Sequence, residues 1–396
     1  MNLKGRAAIA GLGMTKQGKV YDYNHMGFAI EAVRLALADA GLDRSALDGV
    51  LLNPGLSWAD RGMGAFQLQQ ALGLRNLKLS VTMHAGGATA CAMIQQAVEA
   101  IDAGLCTTVA CVFSDAPLRP PRPKPPGGTA RSNGGGSSAG AYGFARGLDA
   151  AYGQFGVNAM YAMVARRHMH LYGTTNEHLG AIAVAQRQWA NKNPAAQFFD
   201  VPMSIADYHR SRWIVEPFHL FDCCLVSNGG LAVIVTAAER ARDLKQPPVY
   251  VWGMGQGHPG GDPSETLTSG AVLAKESAFR MAGVTLEDID VVELYDCYTF
   301  TVLVCLEDYG FCKKGEGGPF VADGKTAPGG TLPVNTGGGQ LSSFYMWGMT
   351  PVSEGVIQLR GAGAARQVPG AKIALVSGNG GVLSTHATLV LSNDGP

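Results

Sequence analysis

Short apolar runs that read as strands alternate with segments of helical period along most of this chain, and the alternation restarts past mid-length. Ala7 to Leu12 reads as a strand. Met26 to Ala40 reads as an amphipathic helix, with Ala29, Ala32, Val33, Leu35, Ala36 and Leu37 on its apolar side. A strand at Gly49–Leu52, a helix at Ala65–Leu72, a strand at Leu79–Thr82, a helix at Ala88–Ala103 and a buried strand at Thr107–Phe113 follow. Two further helices are expected at Val157–Tyr172 and Thr175–Lys192. The second half then offers strands at Val249–Trp252, Ile289–Leu294, Lys372–Val376 and Ala387–Leu391, with helices at Gly270–Ala282, Phe300–Tyr309 and Val352–Leu359. Such alternation demands an α/β fold with right-handed crossovers.

The restart is a weak internal repeat. Val81-Thr82-Met83-His84-Ala85-Gly86-Gly87 leads into a helix carrying Glu99 and then a strand. Val334-Asn335-Thr336-Gly337-Gly338-Gly339 leads into a helix carrying Glu354 and then another strand. Duplication of one α/β unit explains both, with halves at 1–244 and 245–396. Between them, residues 115–160 break the pattern with six prolines and Gly134-Gly135-Gly136-Ser137-Ser138. That segment is expected to be a covering loop within a loop or cap region spanning 115–215.

Composition narrows the function classes. Lys+Arg and Asp+Glu are 31 each, so the basic excess of a nucleic-acid binder is missing. Charged residues are 16%, against roughly 25% in ordinary globular chains, which points to large buried or shared surfaces. The eight cysteines contain no CxxC pair, and no run of 18 apolar residues occurs. The start, Met1-Asn2-Leu3-Lys4-Gly5-Arg6, lacks a signal-peptide apolar region. The expectation is a soluble, reduced, cytoplasmic protein with no membrane span. Gly253-Met254-Gly255-Gln256-Gly257 has the look of a dinucleotide loop, but no acidic residue at the required distance supports NAD. His219, Asp222, Cys223 and Cys224 cluster in sequence and are read as structural, so no metal site is expected.

Four pieces in fixed order carry a family resemblance: Val291 to Tyr298 (VVELYDCY), Asn335 to Gly339 (NTGGG), Gln358 to Gly361 (QLRG) and Arg366 to Lys372 (RQVPGAK). With them the chain resembles the thiolase superfamily over nearly its whole length, and within it the sterol-carrier, lipid-transfer branch. The resemblance implies a duplicated α/β/α/β/α five-layer fold, a tight homodimer and coenzyme A thioester substrates.

The departures from that family say more than the matches. A thiolase places a nucleophilic cysteine at a helix N-terminus, where the dipole lowers its pKa. The corresponding window, Ala85 to Gly87, holds none, and Cys91 falls at least a turn into the helix as a core residue. The second motif carries Tyr295 where the family has Asn or His. Counted from Asn335, Tyr345 falls on the family's Gly-His-Pro histidine. The family's Cys-x-Gly reads Ser377-Gly378-Asn379-Gly380-Gly381. Cys297 stays beside Tyr295, as the branch's His-Asp-Cys motif implies.

Loss of the thiol and gain of tyrosines is the departure of steroid side-chain-cleaving aldolases within this superfamily, and the chain resembles them most. The resemblance implies retro-aldol cleavage of a β-hydroxyacyl-CoA to a ketone or aldehyde and a short acyl-CoA, without an acyl-enzyme. Tyr295, Tyr345 and Cys297 are the catalytic candidates. His84, Ala85, Gly86, Asn379 and Gly380 are the substrate-binding candidates, with His258 in a substrate-contact loop. No cofactor is expected beyond the coenzyme A of the substrate. The resemblance also implies a small OB-fold, zinc-ribbon partner. Two rivals stand: a thiolase using Cys91 or Cys297, and a non-catalytic lipid-CoA binding subunit.

Overall fold

A computed structural model describes residues 3–121, 156–260 and 267–395. Most of the expected covering loop, 122–155, lies outside the described residues, as does Gly261. The strands are β1 (Ala7–Met14), β2 (Gly49–Pro54), β3 (Leu79–Thr82), β4 (Thr108–Asp115), β5 (Trp213–Val215), β6 (Phe218–His219), β7 (Gly229–Ala237), β8 (Val249–Gly257), β9 (Val291–Leu294), β10 (Ile373–Gly380) and β11 (Thr385–Ser392). The helices are α1 (His25–Ala40), α2 (Gly64–Ala71), α3 (Thr89–Asp102), α4 (Val157–Tyr172), α5 (Asn176–Ala190), α6 (Ile205–Arg210), α7 (Ala238–Ala241), α8 (Ala271–Ala282), α9 (Thr299–Tyr309), α10 (Gly317–Ala322) and α11 (Met349–Leu359).

Nine strands hydrogen-bond in the order β3-β2-β4-β7-β1-β8-β11-β10-β9. The duplication is written in that order. In the first half β1 pairs antiparallel with β7, β7 antiparallel with β4, β4 parallel with β2, and β2 parallel with β3. In the second half β8 pairs antiparallel with β11, β11 antiparallel with β10, and β10 parallel with β9. A lone parallel bridge, Val292 to Val334, stands where β3 would have its counterpart. The halves meet through only two residue pairs of β1 and β8, Ala8 with Tyr250 and Ile9 with Val249.

Helices α3 and α11 touch strands of both halves and form the middle layer. Their burial is nearly complete: eleven of the 14 residues of α3 are buried, so an all-round apolar helix is what the centre requires. Helix α1 covers β1 and β7 on one outside, and α8 covers β8 and β11 on the other. The stack is thus helix, sheet, helix, sheet, helix.

The glycine run once considered as a dinucleotide loop has a structural use. Gly253, Gly255 and Gly257 lie in β8 under α8, where a Cβ at Gly255 would sit 2.2 Å from the Ala274 carbonyl oxygen. Gly11 and Gly13 let α1 approach β1 in the same way, with a Cβ at Gly13 falling 2.1 Å from the Ala32 carbonyl.

The repeat is in different register from the one expected. The turn into α3 bridges Ala85 to Gly87, with the Ala85 N–H donating to Thr89 Oγ1 at 2.8 Å. Its partner in the second half bridges Met346 to Gly348, with the Met346 N–H donating to Thr350 Oγ1 at 3.0 Å. The central residues, Gly86 and Trp347, both have positive φ, 57° and 49°. The Asn335–Gly339 segment expected to be the counterpart enters instead a five-residue π-helical turn, Gly339–Ser343, which precedes α11. That turn hid the true equivalence.

Candidate active site

Tyr295 follows β9 and Tyr345 follows the π-helical turn, 50 residues apart in sequence. The fold brings their hydroxyl oxygens to 3.0 Å. Tyr295 is buried and Tyr345 half-buried. The Tyr295 ring lies against Gly87: a Cβ there would fall 2.2 Å from Tyr295 Cζ and 2.3 Å from the Asn379 carbonyl oxygen. Any side chain at 87 would push the phenol away from the α3 turn.

Both tyrosines open into a cavity of about 520 Å³. Gly86, Gly87, Asn379, Gly380 and Cys297 line it with them. Three expected contacts do not: among the described residues lining this cavity, His84, Ala85 and His258 are absent. His84 is exposed and sets its ring edge against Trp347, 5.5 Å away. His258, exposed at the end of β8, bonds to Gln256 and to Thr385. The strand carries it past the rim rather than inward.

Much of the remaining wall comes from residues outside the sequence motifs, together with Cys223 and Cys224, which were expected to be structural and instead line the cavity. Helix α4 supplies Val157, Asn158 and Tyr161, and the chain between β6 and β7 supplies Leu220, Phe221, Cys223, Cys224, Leu225 and Val226. Tyr161 packs on Tyr298 with ring centres 4.7 Å apart, and the Tyr298 hydroxyl donates to Asn158 Oδ1. The cavity lining is largely apolar.

The thiols are not poised as nucleophiles. Cys91 lies in the first turn of α3, closer to the helix start than expected, yet it is fully buried and its thiol is pushed up to about 12 by burial. It does not line the cavity. Burial also raises the thiols of Cys223, to about 12, and of Cys224 and Cys297. A nucleophilic cysteine needs the opposite shift. The turn where a thiolase holds its cysteine has Gly86, whose positive φ suits glycine.

His219 and Asp222 sit beside the site as supports. Asp222 accepts hydrogen bonds from the Thr299 hydroxyl at 2.6 Å, the Tyr208 hydroxyl at 2.8 Å and the His219 N–H at 2.7 Å. That arrangement anchors the start of α9 and bears out their structural reading. No group of His, Cys, Asp and Glu able to hold a metal occurs among the described residues.

A model of the thiolase C-terminal domain-like family matches residues 260–393. The chain is 36% identical to the steroid side-chain-cleaving aldolase of Thermomonospora curvata, over 96% of each chain. The chain belongs to the thiolase superfamily. It is also 36% identical to the 17-hydroxy-3-oxo-4-pregnene-20-carboxyl-CoA lyase of Mycobacterium tuberculosis, over 96% of this chain and 98% of that one. Among solved thiolase-superfamily structures, the Ltp2-ChsH2(DUF35) aldolase superposes with a TM-score of 0.86 at 34% identity, covering 99% of both chains.

Proposed function

We propose that this thiolase-superfamily member is a carbon–carbon lyase that cleaves a β-hydroxyacyl-CoA with a steroid acyl group by a retro-aldol step. One observation carries the reading: a phenol pair 3.0 Å apart faces the helix turn from which the nucleophilic cysteine is missing. The two relatives at 36% identity are named as a steroid side-chain-cleaving aldolase and a steroid-CoA lyase, which supports the substrate class. A cavity of about 520 Å³ falls within the roughly 300–1,000 Å³ of sites that enclose a ligand of that bulk.

One tyrosine of the pair, as its phenolate, takes the proton of the β-hydroxyl, while the neutral phenol of the other donates a hydrogen bond to the same oxygen. A phenol has a reference pKa of ~10, so the proton moves as the C–C bond breaks rather than before. The Cα–Cβ bond breaks to give a ketone or aldehyde and the enolate of the short acyl-CoA. The N-terminal turn of α3, at Gly86 and Gly87, offers backbone N–H groups and the positive end of a 14-residue helix to the enolate oxygen. The neutral Cys297 thiol on the cavity wall then gives a proton to Cα, and the proton held by the tyrosine passes to the resulting thiolate, which restores both groups for the next turnover. Coenzyme A enters as part of the substrate, and the protein's own residues carry every step.

The chain is further read as a cytoplasmic homodimer completed by a small OB-fold partner. A structurally similar aldolase is named for two components. Leu220 and Val226 line the cavity yet are 39% and 53% exposed, as a rim covered by another chain would be. Among the described residues, no helix is long and apolar enough to cross a membrane. The deciding experiment is mass spectrometry of products from a panel of steroid, aromatic and aliphatic β-hydroxyacyl-CoAs, with and without the partner. Release of a ketone and a short acyl-CoA supports the lyase; binding with no product from any member would leave a carrier.

A further inference from the structure

The 3.0 Å spacing of Tyr295 and Tyr345 has to be maintained between two loops that share no secondary structure. Asp296, the neighbour of Tyr295, reaches across to do part of this. Its fully buried carboxylate accepts the Gln340 N–H at 2.9 and 3.0 Å and the Leu341 N–H at 3.3 Å. Those two N–H groups belong to the π-helical turn that ends one residue before Phe344-Tyr345. Gln340 in turn donates from Nε2 to the Trp347 carbonyl at 3.0 Å, closing the loop around Tyr345. Space around the carboxylate is tight, since a Cβ at Gly339 would lie 2.1 Å from Asp296 Oδ2.

A second segment grips the same two loops. The Cys224 N–H donates to the Cys297 carbonyl at 3.0 Å, and the Leu225 N–H donates to the Gln340 carbonyl at 2.9 Å. Two residues on, buried Ser227 accepts the Tyr345 N–H on its Oγ at 3.1 Å. Gln197 Nε2 donates to that same oxygen at 2.7 Å and holds it in place.

We infer that Asp296 and Ser227 are positioning residues that set Tyr345 against Tyr295, one from the first tyrosine's own loop and one from the cavity wall. The inference rests on the proton-transfer role given to Tyr345 above. Neither side chain touches the reacting atoms; each fixes backbone on one side of Tyr345. Because residues 223–226 also line the cavity, the wall that receives the acyl group and the clamp on the phenol pair are one stretch of chain.

The test uses the full chain with 17-hydroxy-3-oxo-4-pregnene-20-carboxyl-CoA as probe. Asp296→Asn keeps the shape but turns an amide toward two N–H donors. Ser227→Ala removes the acceptor for Tyr345 with little risk to folding. Misplacing a reacting group by about 1 Å costs on the order of 10²-fold, so kcat should fall about 10–100-fold for Asp296→Asn and about 3–10-fold for Ser227→Ala, with KM within about twofold. In a Tyr345→Phe background each change should cost less than about twofold more, because its effect runs through a phenol already lost. A general packing role would instead multiply the losses. Unchanged kcat in both variants, or losses that multiply on Tyr345→Phe, would overturn the inference. Should Asp296→Asn fail to melt cooperatively, Ser227→Ala decides by the same two readings. Full kcat in Tyr345→Phe alone would overturn the role of Tyr345, and the positioning role with it.

Discussion

Gly86 is the residue on which the chemistry turns. A thiolase keeps a thiolate at that helix entry; here a glycine with φ of 57° lines the cavity together with the two phenols. The hydroxyls are the testable part. Phenylalanine keeps each ring and its packing, so Tyr295→Phe and Tyr345→Phe should fold and lose about 10²–10⁴ in kcat, the range for a positioned proton-transfer group. Steady-state kinetics of the double variant should show less than the product of the two losses, since both hydroxyls serve one step. Cys297→Ala should retain binding and slow the return of the proton, read as slower deuterium uptake into the acyl-CoA product in D2O. Intact-mass measurement after incubation with a thioester should show no acyl adduct. An adduct on any cysteine would restore the acyl-transfer mechanism that the raised thiol pKa values oppose.

Elements deliver these residues through close backbone contact. Helix α8 lies so near β8 that Gly255→Ala must displace the Ala274 carbonyl. Overpacking of this kind costs about 1–3 kcal/mol, so the thermal midpoint should fall by a few degrees while KM of the remaining folded enzyme stays unchanged. The start of α9, which follows the Tyr295 loop, is anchored by Asp222. Burial pushes its carboxyl from 3.8 up to about 6. The folded chain therefore binds this proton more tightly than the unfolded chain across that window. Its contribution to stability is whole below about pH 4 and is lost as the pH rises through about 6, by up to about 3 kcal/mol. Asp222→Asn has no proton to lose, so its thermal midpoint between pH 4 and 6.5 should fall less steeply than that of the wild type. A parallel pair of curves would contradict this.

At the scale of the whole molecule, two half-sheets joined by two residue pairs enclose the α3 and α11 layer. The site forms where the ends of β9, β10 and the α3 turn converge under a wall drawn from α4 and the chain before β7. Leu220 and Val226 are exposed at the rim of that wall, and in the proposed assembly another chain covers them. Light scattering at micromolar concentration should give a species of at least dimer mass, and addition of the OB-fold partner should raise kcat for the bulky steroid thioester more than for a short aliphatic one. A monomer that cleaves both equally well would contradict that assembly.

The α/β class, the duplication and most long elements, though not the nine-residue β7, could be read from residue order, because period-2 and period-3.6 apolar patterns are local and Val157–Tyr172 needs no distant partner to declare itself. The two tyrosines were legible for a different reason: Tyr295 stands inside a family motif in place of Asn or His, and Tyr345 falls on a known position at a countable distance from the glycine motif at Asn335. Their mutual 3.0 Å spacing was not, since it depends on the Asp296 and Ser227 contacts across 44 and 118 residues of chain. His84 and His258 bear plausible chemistry in sequence, but strand direction points one to Trp347 and the other to Thr385, away from the cavity. Tyr161, Asn158, Leu225 and Val226 carry no motif at all, and Cys223 and Cys224 read only as structural in sequence. They enter the site because helix α4 and the chain before β7 fold over the sheet ends, and contacts between segments far apart in the chain leave no periodic trace in either one.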